Sequence, residues 1–417
     1  MSERFDVVVV GAGPAGIAAA VRAAEAGARV ALVDDNPAAG GQIWRRGAEL
    51  PSSARAWMAR LERSDVVRIP GTRVFDHPAP GVIAAERDGA LVELRYGKLI
   101  LATGARDLFL PFPGWTLPNV FGAGGLDAMA RGGLPVAGQR VVVAGTGPLL
   151  LAVAAHLAAR GAQVVAICEQ ASLRQLALFA GRMLGQPGKL AQGAAYRWAA
   201  RGARFHTGCW VTAAHGEKRV ERVTLRQGTR TWDVDCDFLA CGFHLVPNLE
   251  LARLVGCRVV GGTVATDAFM QTTVTNVLCA GEPTGIGGVD LALLEGQIAG
   301  LVAAGKFDDS IPLAQRRRRM TGFVIALRTA CDLDPQLRGL ATDATLVCRC
   351  EDVTFGAMRT HSGWRDAKLH TRCGMGPCQG RVCGAAAEFL LGWKVEGVRP
   401  PIFPAMVASM VTNKETE

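Results

Sequence analysis

The sequence predicts an α/β chain made of two Rossmann-type nucleotide-binding domains followed by a small cysteine-bearing C-terminal domain. Three observations predict it. A strand–glycine–helix unit opens the chain, a second copy starts about 130 residues later, and five of the 12 cysteines fall between residues 348 and 383. At 417 residues, close to half of them apolar, the chain is long enough for about two or three domains with cores of their own.

The first unit is FDVVVVGAGPAGIAAAVRAAEAGARVALVDD. A valine run stopped by glycine reads as a buried parallel strand, the alanine-rich stretch after it as a helix, and RVALVD as the next strand. Gly11, Gly13 and Gly16 form G-x-G-x-x-G, which supplies a tight turn, close approach of backbone to a pyrophosphate, and close helix–strand packing. The helix N-terminus favours phosphate. Asp34 closes the second strand, 18 residues beyond Gly16, where a carboxylate can accept from ribose hydroxyls. Strand, helix and acid together point to nucleotide binding rather than to a structural glycine turn.

The second unit, RVVVAGTGPLLLAVAAHLAARGAQVVAICE, repeats the plan with Gly145, Gly147 and an acid at Glu169. Leu150 stands at the third glycine position and is expected to push the helix away from the strand. Two readings stay open: a site for NAD(P) or another adenine nucleotide, or a domain that keeps the fold with its ligand lost or changed. Between the units, Val66 to Ile69, Val82 to Glu86 and Leu91 to Tyr96 alternate polar and apolar residues and are expected to form an antiparallel meander.

The net charge of +9 is spread along the chain except for Arg316 to Arg319, which precede an apolar helical pattern. That run is expected to be a solvated helix face or a subunit contact, and with no aromatic or groove-forming companion it is not read as nucleic-acid binding. No apolar stretch reaches the roughly 18 residues of a membrane span, and the valine run after MSERFD breaks at glycine too early for a secretory signal. A cytoplasmic protein with reduced or metal-bound cysteines is expected. Cys168, Cys209, Cys236, Cys241, Cys257, Cys279 and Cys331 are read as buried small hydrophobes. Neither QIWRRG after Gly41 nor the second unit holds a close cysteine pair, which excludes disulfide-reductase chemistry. The 7 histidines (His77, His156, His206, His215, His244, His361, His370) are read as isolated surface or hydrogen-bonded residues, not as catalysts or a metal site.

Past a polar, arginine-rich connector, Cys348 and Cys350 form C-x-C, 27 residues intervene, and Cys378 and Cys383 form C-x-x-x-x-C. Four thiolates delivered as two close pairs suit a [2Fe-2S] cluster, with GMGP supplying backbone N–H groups for the sulfurs. A four-thiolate zinc site usually spaces its pairs as C-x-x-C, and neither pair does so; zinc and reduced thiols remain the rival readings. Cys373 makes a fifth candidate and is set aside as a non-ligand, because it lies before the GMGP turn and pairs less naturally with either end.

Several segments resemble the two-dinucleotide, glutathione-reductase-like flavoproteins. These are KLILATGAR with Thr103 and Gly104, Gly281–Glu282 where that class carries Gly-Asp, and the GGQ of Gly40 to Gln42, which resembles the thioredoxin-reductase branch. The resemblance covers most of Met1 to Gly305. It implies FAD held by Gly11, Gly13, Gly16, Asp34, Gln42, Thr103, Gly104, Gly281 and Glu282. VCRCEDVT followed by TRCGMGPCQGRVC resembles the C-terminal module related to bacterioferritin-associated ferredoxin. The combination is similar to the nucleotide-binding, or alpha, subunits of heteromeric FAD-dependent amino-acid dehydrogenases. That group includes the larger nucleotide-binding subunits of opine oxidase, of hydroxyproline and proline dehydrogenases, and of hydrogen cyanide synthase.

What this resemblance implies is a division into four parts. Residues 1–107 with 242–305 form a discontinuous FAD domain, 108–241 a second nucleotide domain, 306–342 a helical connector, and 343–417 the [2Fe-2S] domain with Cys348, Cys350, Cys378 and Cys383 as ligands. It also implies an electron-transferring role, in which the amino- or imino-acid substrate is oxidised on an FAD-containing catalytic beta subunit, with or without a small ferredoxin-like subunit. The complex would be a cytoplasmic hetero-oligomer, peripheral to the inner membrane through its electron acceptor. The rival is a self-contained NAD(P)H-dependent flavin reductase that sends electrons outward through the cluster.

Overall fold

The computed structural model describes residues 2–44, 50–183, 186–395 and 397–411. Part of the QIWRRG loop, Glu396 and the last six residues lie outside them. The chain divides into two compact units: Met1–Arg106, Pro247–Val324 and Gly397–Glu417 form one, and Asp107–Val246 with Ile325–Glu396 form the other. The expected connector, 306–342, is divided between these units, and most of the expected C-terminal domain falls in the second. Residues 325–396 are grouped with the second nucleotide domain, and the last segment returns to the first unit.

In the first unit the valine-rich strand Ser2–Val10 lies parallel to Val30–Val33 on one side and to Ala90–Leu101 on the other. Val277–Cys279 also pairs with the end of Ala90–Leu101. Val7, Val8 and Val9 are fully buried because helices cover one face of the sheet and a second apolar cluster covers the other. The helix Pro14–Glu25 packs against Val289–Ala303 with no room for side chains between them. A Cβ on Gly296 would stand 2.1 Å from the Ala15 carbonyl oxygen, and one on Gly300 2.3 Å from that of Ala19.

The expected meander is partly corrected. Thr72–Ala79, Val82–Arg87 and Ala90–Leu101 form the antiparallel ribbon. Val67–Ile69 instead pairs in parallel with Ala31–Val33 and extends the main sheet. The short apolar run could serve either ladder, and the crossover helix Ser52–Arg63 before it delivers it in the parallel sense.

The second unit carries a parallel sheet in the order Arg204–Thr207, Gln163–Glu169, Arg140–Gly145, Phe238–Gly242, Val120–Gly122. An antiparallel ribbon of Cys209–His215, Arg222–Gln227 and Arg230–Asp235 lies beside it. Leu150 does not spoil the unit. It is 1% exposed and packs over Gly242, where the missing side chain makes room for it. The C-terminal part of the unit has its own small core of Val347, Val353, Met358, Trp364, Ala386 and Ala387 around cysteines.

The arginine run lies in the helix Phe307–Ala330. Arg316, Arg318 and Arg319 are exposed, whereas Arg317 Nε donates to the buried Glu295 carboxylate at 2.7 Å. Among the described residues no helix is long and apolar enough to cross a membrane.

Candidate functional site

The first nucleotide turn is built from close backbone contacts. Gly11 adopts φ +107°, and a Cβ there would stand 2.2 Å from the Ala102 carbonyl oxygen. A Cβ on Gly16 would stand 1.7 Å from the carbonyl oxygen of Gly11, so the turn closes only with glycine at both positions. Gly13 differs. A Cβ on it would meet only the Gly41 Cα, at 3.9 Å, which leaves open space at the N-terminus of the helix Pro14–Glu25. The Asp34 carboxylate accepts from the N–H of Ala12 with one oxygen and from the N–H and side-chain amide of Asn36 with the other.

Gly41 (φ +59°) backs onto this turn, its own Cβ position lying 2.9 Å from the Gly13 Cα, while Gln42 is exposed on the short helix Gly41–Trp44. At the end of Ala90–Leu101, Thr103 Oγ1 donates to the Asn248 carbonyl at 2.7 Å. The Asn248 side chain donates back to the Thr103 carbonyl at 2.8 Å, and its N–H to that of Gly104. Asn248 was not foreseen. Nothing in its local sequence marks it, because its partners lie 145 residues away.

Gly281 adopts φ +81° and its N–H donates to Glu295 Oε2 at 2.9 Å. Glu295, 1% exposed, also accepts from Thr284 Oγ1 and Arg317 Nε. It is a buried hub that sequence reading missed inside an apolar helix. The Glu282 carboxylate curls back to accept from the N–H groups of Gly287 and Gly288, at 3.2 and 3.1 Å, at the start of the helix Val289–Ala303. Burial pushes its carboxyl up to about 7, against the pull of those two N–H groups.

The second nucleotide turn is closed over. Gly145 (φ +144°) lies on Gly242, whose carbonyl oxygen stands 2.0 Å from a Cβ built on Gly145. Glu169 accepts from the N–H of Gly147 at 2.7 Å and of Ala171 at 2.9 Å, and burial raises its carboxyl above the ordinary range. The segment after the helix Phe307–Ala330 packs onto this turn. A Cβ on Gly147 would meet Cys331 Sγ at 3.2 Å. The Gln170 side chain donates to the Asp332 carbonyl and accepts from the Asp334 N–H, at 2.8 and 2.9 Å. The connector thus covers the glycine turn and the strand end that would face a nucleotide.

Five thiols gather in the C-terminal part of the second unit. The Sγ atoms of Cys348, Cys373 and Cys383 lie within 4.8 Å of one another. Cys378 is in hydrogen-bonding contact with Cys383 on one side and Cys350 on the other. Glycines let the loops close: a Cβ on Gly376 would stand 2.2 Å from the Cys350 Cβ, and one on Gly374 2.6 Å from the Trp364 ring.

Backbone N–H groups do point at sulfur, those of Gly374 and Glu351 at Cys348 and those of Gly380 and Val382 at Cys378. The Cys373 and Cys383 thiols and those N–H groups draw the Cys348 thiol down to about 2. Cys383, with the N–H groups, draws Cys378 down to about 5. Cys373 is pushed up to about 12 by the neighbouring Cys348 sulfur. The reason for setting Cys373 aside is corrected: its fully buried side chain touches both Cys348 and Cys383 and donates to Met358 Sδ at 3.5 Å.

The other seven cysteines are all buried. The histidines are not all isolated, since His361 and His370 stack with ring centroids 5.2 Å apart, both beside Asp366.

Two Rossmann sheets, each with a glycine turn and an acid closing the strand after it, define the two-dinucleotide class of oxidoreductases. The chain belongs to the pyridine nucleotide-disulphide oxidoreductase family, which matches residues 5–304. It is 32% identical to an opine oxidase subunit of Rhizobium meliloti (strain 1021), covering 96% of this chain and 97% of that one. It is 29% identical to the HcnB subunit of hydrogen cyanide synthase from Pseudomonas protegens, covering 90% of this chain and 89% of that one. The crystal structure of L-proline dehydrogenase from P. horikoshii shares the fold over 99% of this chain and 80% of that one, with TM-score 0.70 at 18% identity.

Proposed function

We propose that the chain is the electron-transferring flavoprotein and iron–sulfur subunit of a heteromeric dehydrogenase. In this reading a partner flavoprotein subunit oxidises an amino or imino acid to an imine. The observation that carries the proposal is the gathering of five sulfurs, several served by N–H donors, on a chain that also holds a nucleotide turn open at Gly13. The names of the relatives, subunits of opine oxidase and hydrogen cyanide synthase, support the hetero-oligomer.

The residues fit the groups. Gly11, Gly13, Gly16 and Asp34 would hold the nucleotide end of FAD, with Gln42, Thr103, Gly104, Gly281 and Glu282 as its further contacts. Cys348, Cys373 and Cys383 form a buried triangle of contacts, from which Cys378 and then Cys350 lead outward. Leaving Cys373 out gives two pairs, Cys348 with Cys383 and Cys350 with Cys378, joined through Cys378 and Cys383. Two pairs are what a [2Fe-2S] core requires, so Cys348, Cys350, Cys378 and Cys383 are the proposed ligands.

When bound, the flavin exchanges electron pairs and the cluster single electrons, which lets a two-electron oxidation on one polypeptide feed a one-electron relay on another. The chain's own part is to fix both groups, exclude water from the Cys348 and Cys383 side, and hold thiolates with N–H donors. The connector over Gly147 and Gln170 disfavours a self-contained NAD(P)H-dependent flavin reductase.

The test is to purify the chain anaerobically with the products of its neighbouring genes, measure iron, labile sulfide and flavin, then add opines, proline, hydroxyproline or glycine and follow the visible spectrum. Two irons and two sulfides per chain, with bleaching by one of these substrates, is the expected result. Zinc or empty thiols would overturn the cluster assignment.

A further inference from the structure

Outside the thiol site, one group of side chains has the composition and spacing of a metal site. His361 ends a turn after the short helix Phe355–Arg359, and Asp366 and His370 are one helical turn apart on Trp364–Thr371, so their side chains share a face. His361 Nδ1 lies 3.5 Å from Asp366 Oδ2, and His370 Nδ1 lies 3.0 Å from Asp366 Oδ1. The ligand atoms of all three residues lie within 4.8 Å of one another. Donors sharing an ion at about 2.1 Å stand roughly 3.0–3.4 Å apart, so small side-chain adjustments suffice.

The carboxylate is fixed before any ion arrives. Ser362 donates both its N–H and its hydroxyl to Asp366 Oδ2, each at 3.0 Å. The two imidazoles lie nearly parallel, 17° between their planes, each with Nδ1 beside the Asp366 carboxylate, and His370 Nδ1 also lies 2.9 Å from the Asp366 carbonyl oxygen. His370 is the exposed member, its side chain 65% exposed against 20% for His361, so water can complete the coordination.

We infer that His361, Asp366 and His370 form a binding site for one divalent transition-metal ion, separate from the thiol site. Two imidazoles and one carboxylate select zinc, cobalt or nickel over calcium or magnesium, whose preferred ligands are oxygens. The ion would pin the turn at His361 to the helix that leads into Cys373. Trp364 of that helix lies against Gly374 and Gly380, and Met358 of the preceding helix Phe355–Arg359 accepts from Cys373. The site does not depend on the cluster assignment.

The experiment uses the full chain, purified anaerobically and treated with chelator, with Co²⁺ as the probe. Equilibrium dialysis is expected to give one Co²⁺ per chain, with visible bands but no thiolate-to-cobalt charge-transfer absorption. His361→Ala and His370→Ala are each expected to weaken binding about tenfold or more, with the near-ultraviolet circular dichroism unchanged. Asp366→Asn, which keeps the side-chain volume, is expected to weaken binding as well. No bound Co²⁺ in the wild type, or binding unchanged in both histidine variants, would overturn the site.

Discussion

Gly147 faces Cys331 across the second glycine turn: at φ +92°, a Cβ on Gly147 would come within 3.2 Å of the Cys331 sulfur. Gly147→Ala is expected to destabilise the chain by about 2 kcal/mol, part backbone strain and part contact. In a Cys331→Ala background the contact is relieved and the cost of Gly147→Ala is expected to fall to about 1 kcal/mol, the strain alone. Urea unfolding of the four chains checks this. Equal cost in both backgrounds would show that the sulfur does not press on the turn.

The same contact bears on nicotinamide. With Gln170 bridged to Asp332 and Asp334 and the Cys331 sulfur against Gly147, the connector covers the glycine surface that a pyrophosphate would need at the second turn. Anaerobic addition of NADH or NADPH to the isolated chain is expected to leave its flavin spectrum unchanged in a stopped-flow trace. Rapid bleaching would mean that the connector moves aside.

In the first unit, two glycines of one motif are expected to fail differently. Gly13→Ala should fold, because its Cβ meets nothing closer than 3.9 Å, yet lose flavin by filling space that a pyrophosphate needs. Gly16→Ala, with a Cβ 1.7 Å from the Gly11 carbonyl, should lose the folded state itself. Flavin content and melting temperature, measured on both variants, separate the two effects. A folded Gly13→Ala chain with full flavin would remove that position from the proposed site.

These contrasts mark where sequence reading succeeds and where it stops. The G-x-G-x-x-G turn and its acid form a local pattern, set by backbone geometry within about 30 residues, and so it can be read directly. Contacts carried across the chain cannot. Asn248 reaches Thr103 from 145 residues away, and Glu295 looks like one more position of an apolar helix until Gly281 and Arg317 turn toward it. The covering of Gly147 by Cys331 is equally illegible, since a lone cysteine after a helix carries no address. Val67–Ile69 reads as part of the wrong ladder because three residues hold too little periodicity to distinguish a parallel from an antiparallel neighbour. His361 and His370 read as isolated because a turn and a helix separate them in sequence and then fold them together.

Among the five thiols, Cys373 and Cys378 are expected to part ways. Cys378→Ser removes a proposed ligand and should abolish the cluster's visible absorption with flavin retained. Cys373→Ala should keep iron and sulfide while shifting the reduction potential, because the buried thiol touching Cys348 and Cys383 is lost. Iron, labile sulfide and a redox titration on each variant decide the matter. Retained absorption in Cys378→Ser together with its loss in Cys373→Ala would exchange their roles.

Glu282 gives a pH dependence whose sign follows from its environment. Its carboxyl is raised from an ordinary 4.5 to about 7, so between these values the folded chain binds more protons than the unfolded one. Stability from this group is therefore fully present below pH 4.5 and is lost as pH rises through 7. Flavin-free chain should lose on the order of 1–3 kcal/mol across that window, the lower end allowing for solvent screening of a partly exposed group. In Glu282→Gln, which cannot ionise but can still accept from the N–H of Gly287 or Gly288, this part of the slope should vanish. Unfolding free energies at pH 5 and pH 8 for both chains measure it, and identical slopes would mean that Glu282 ionises in the folded chain as it does in the unfolded one.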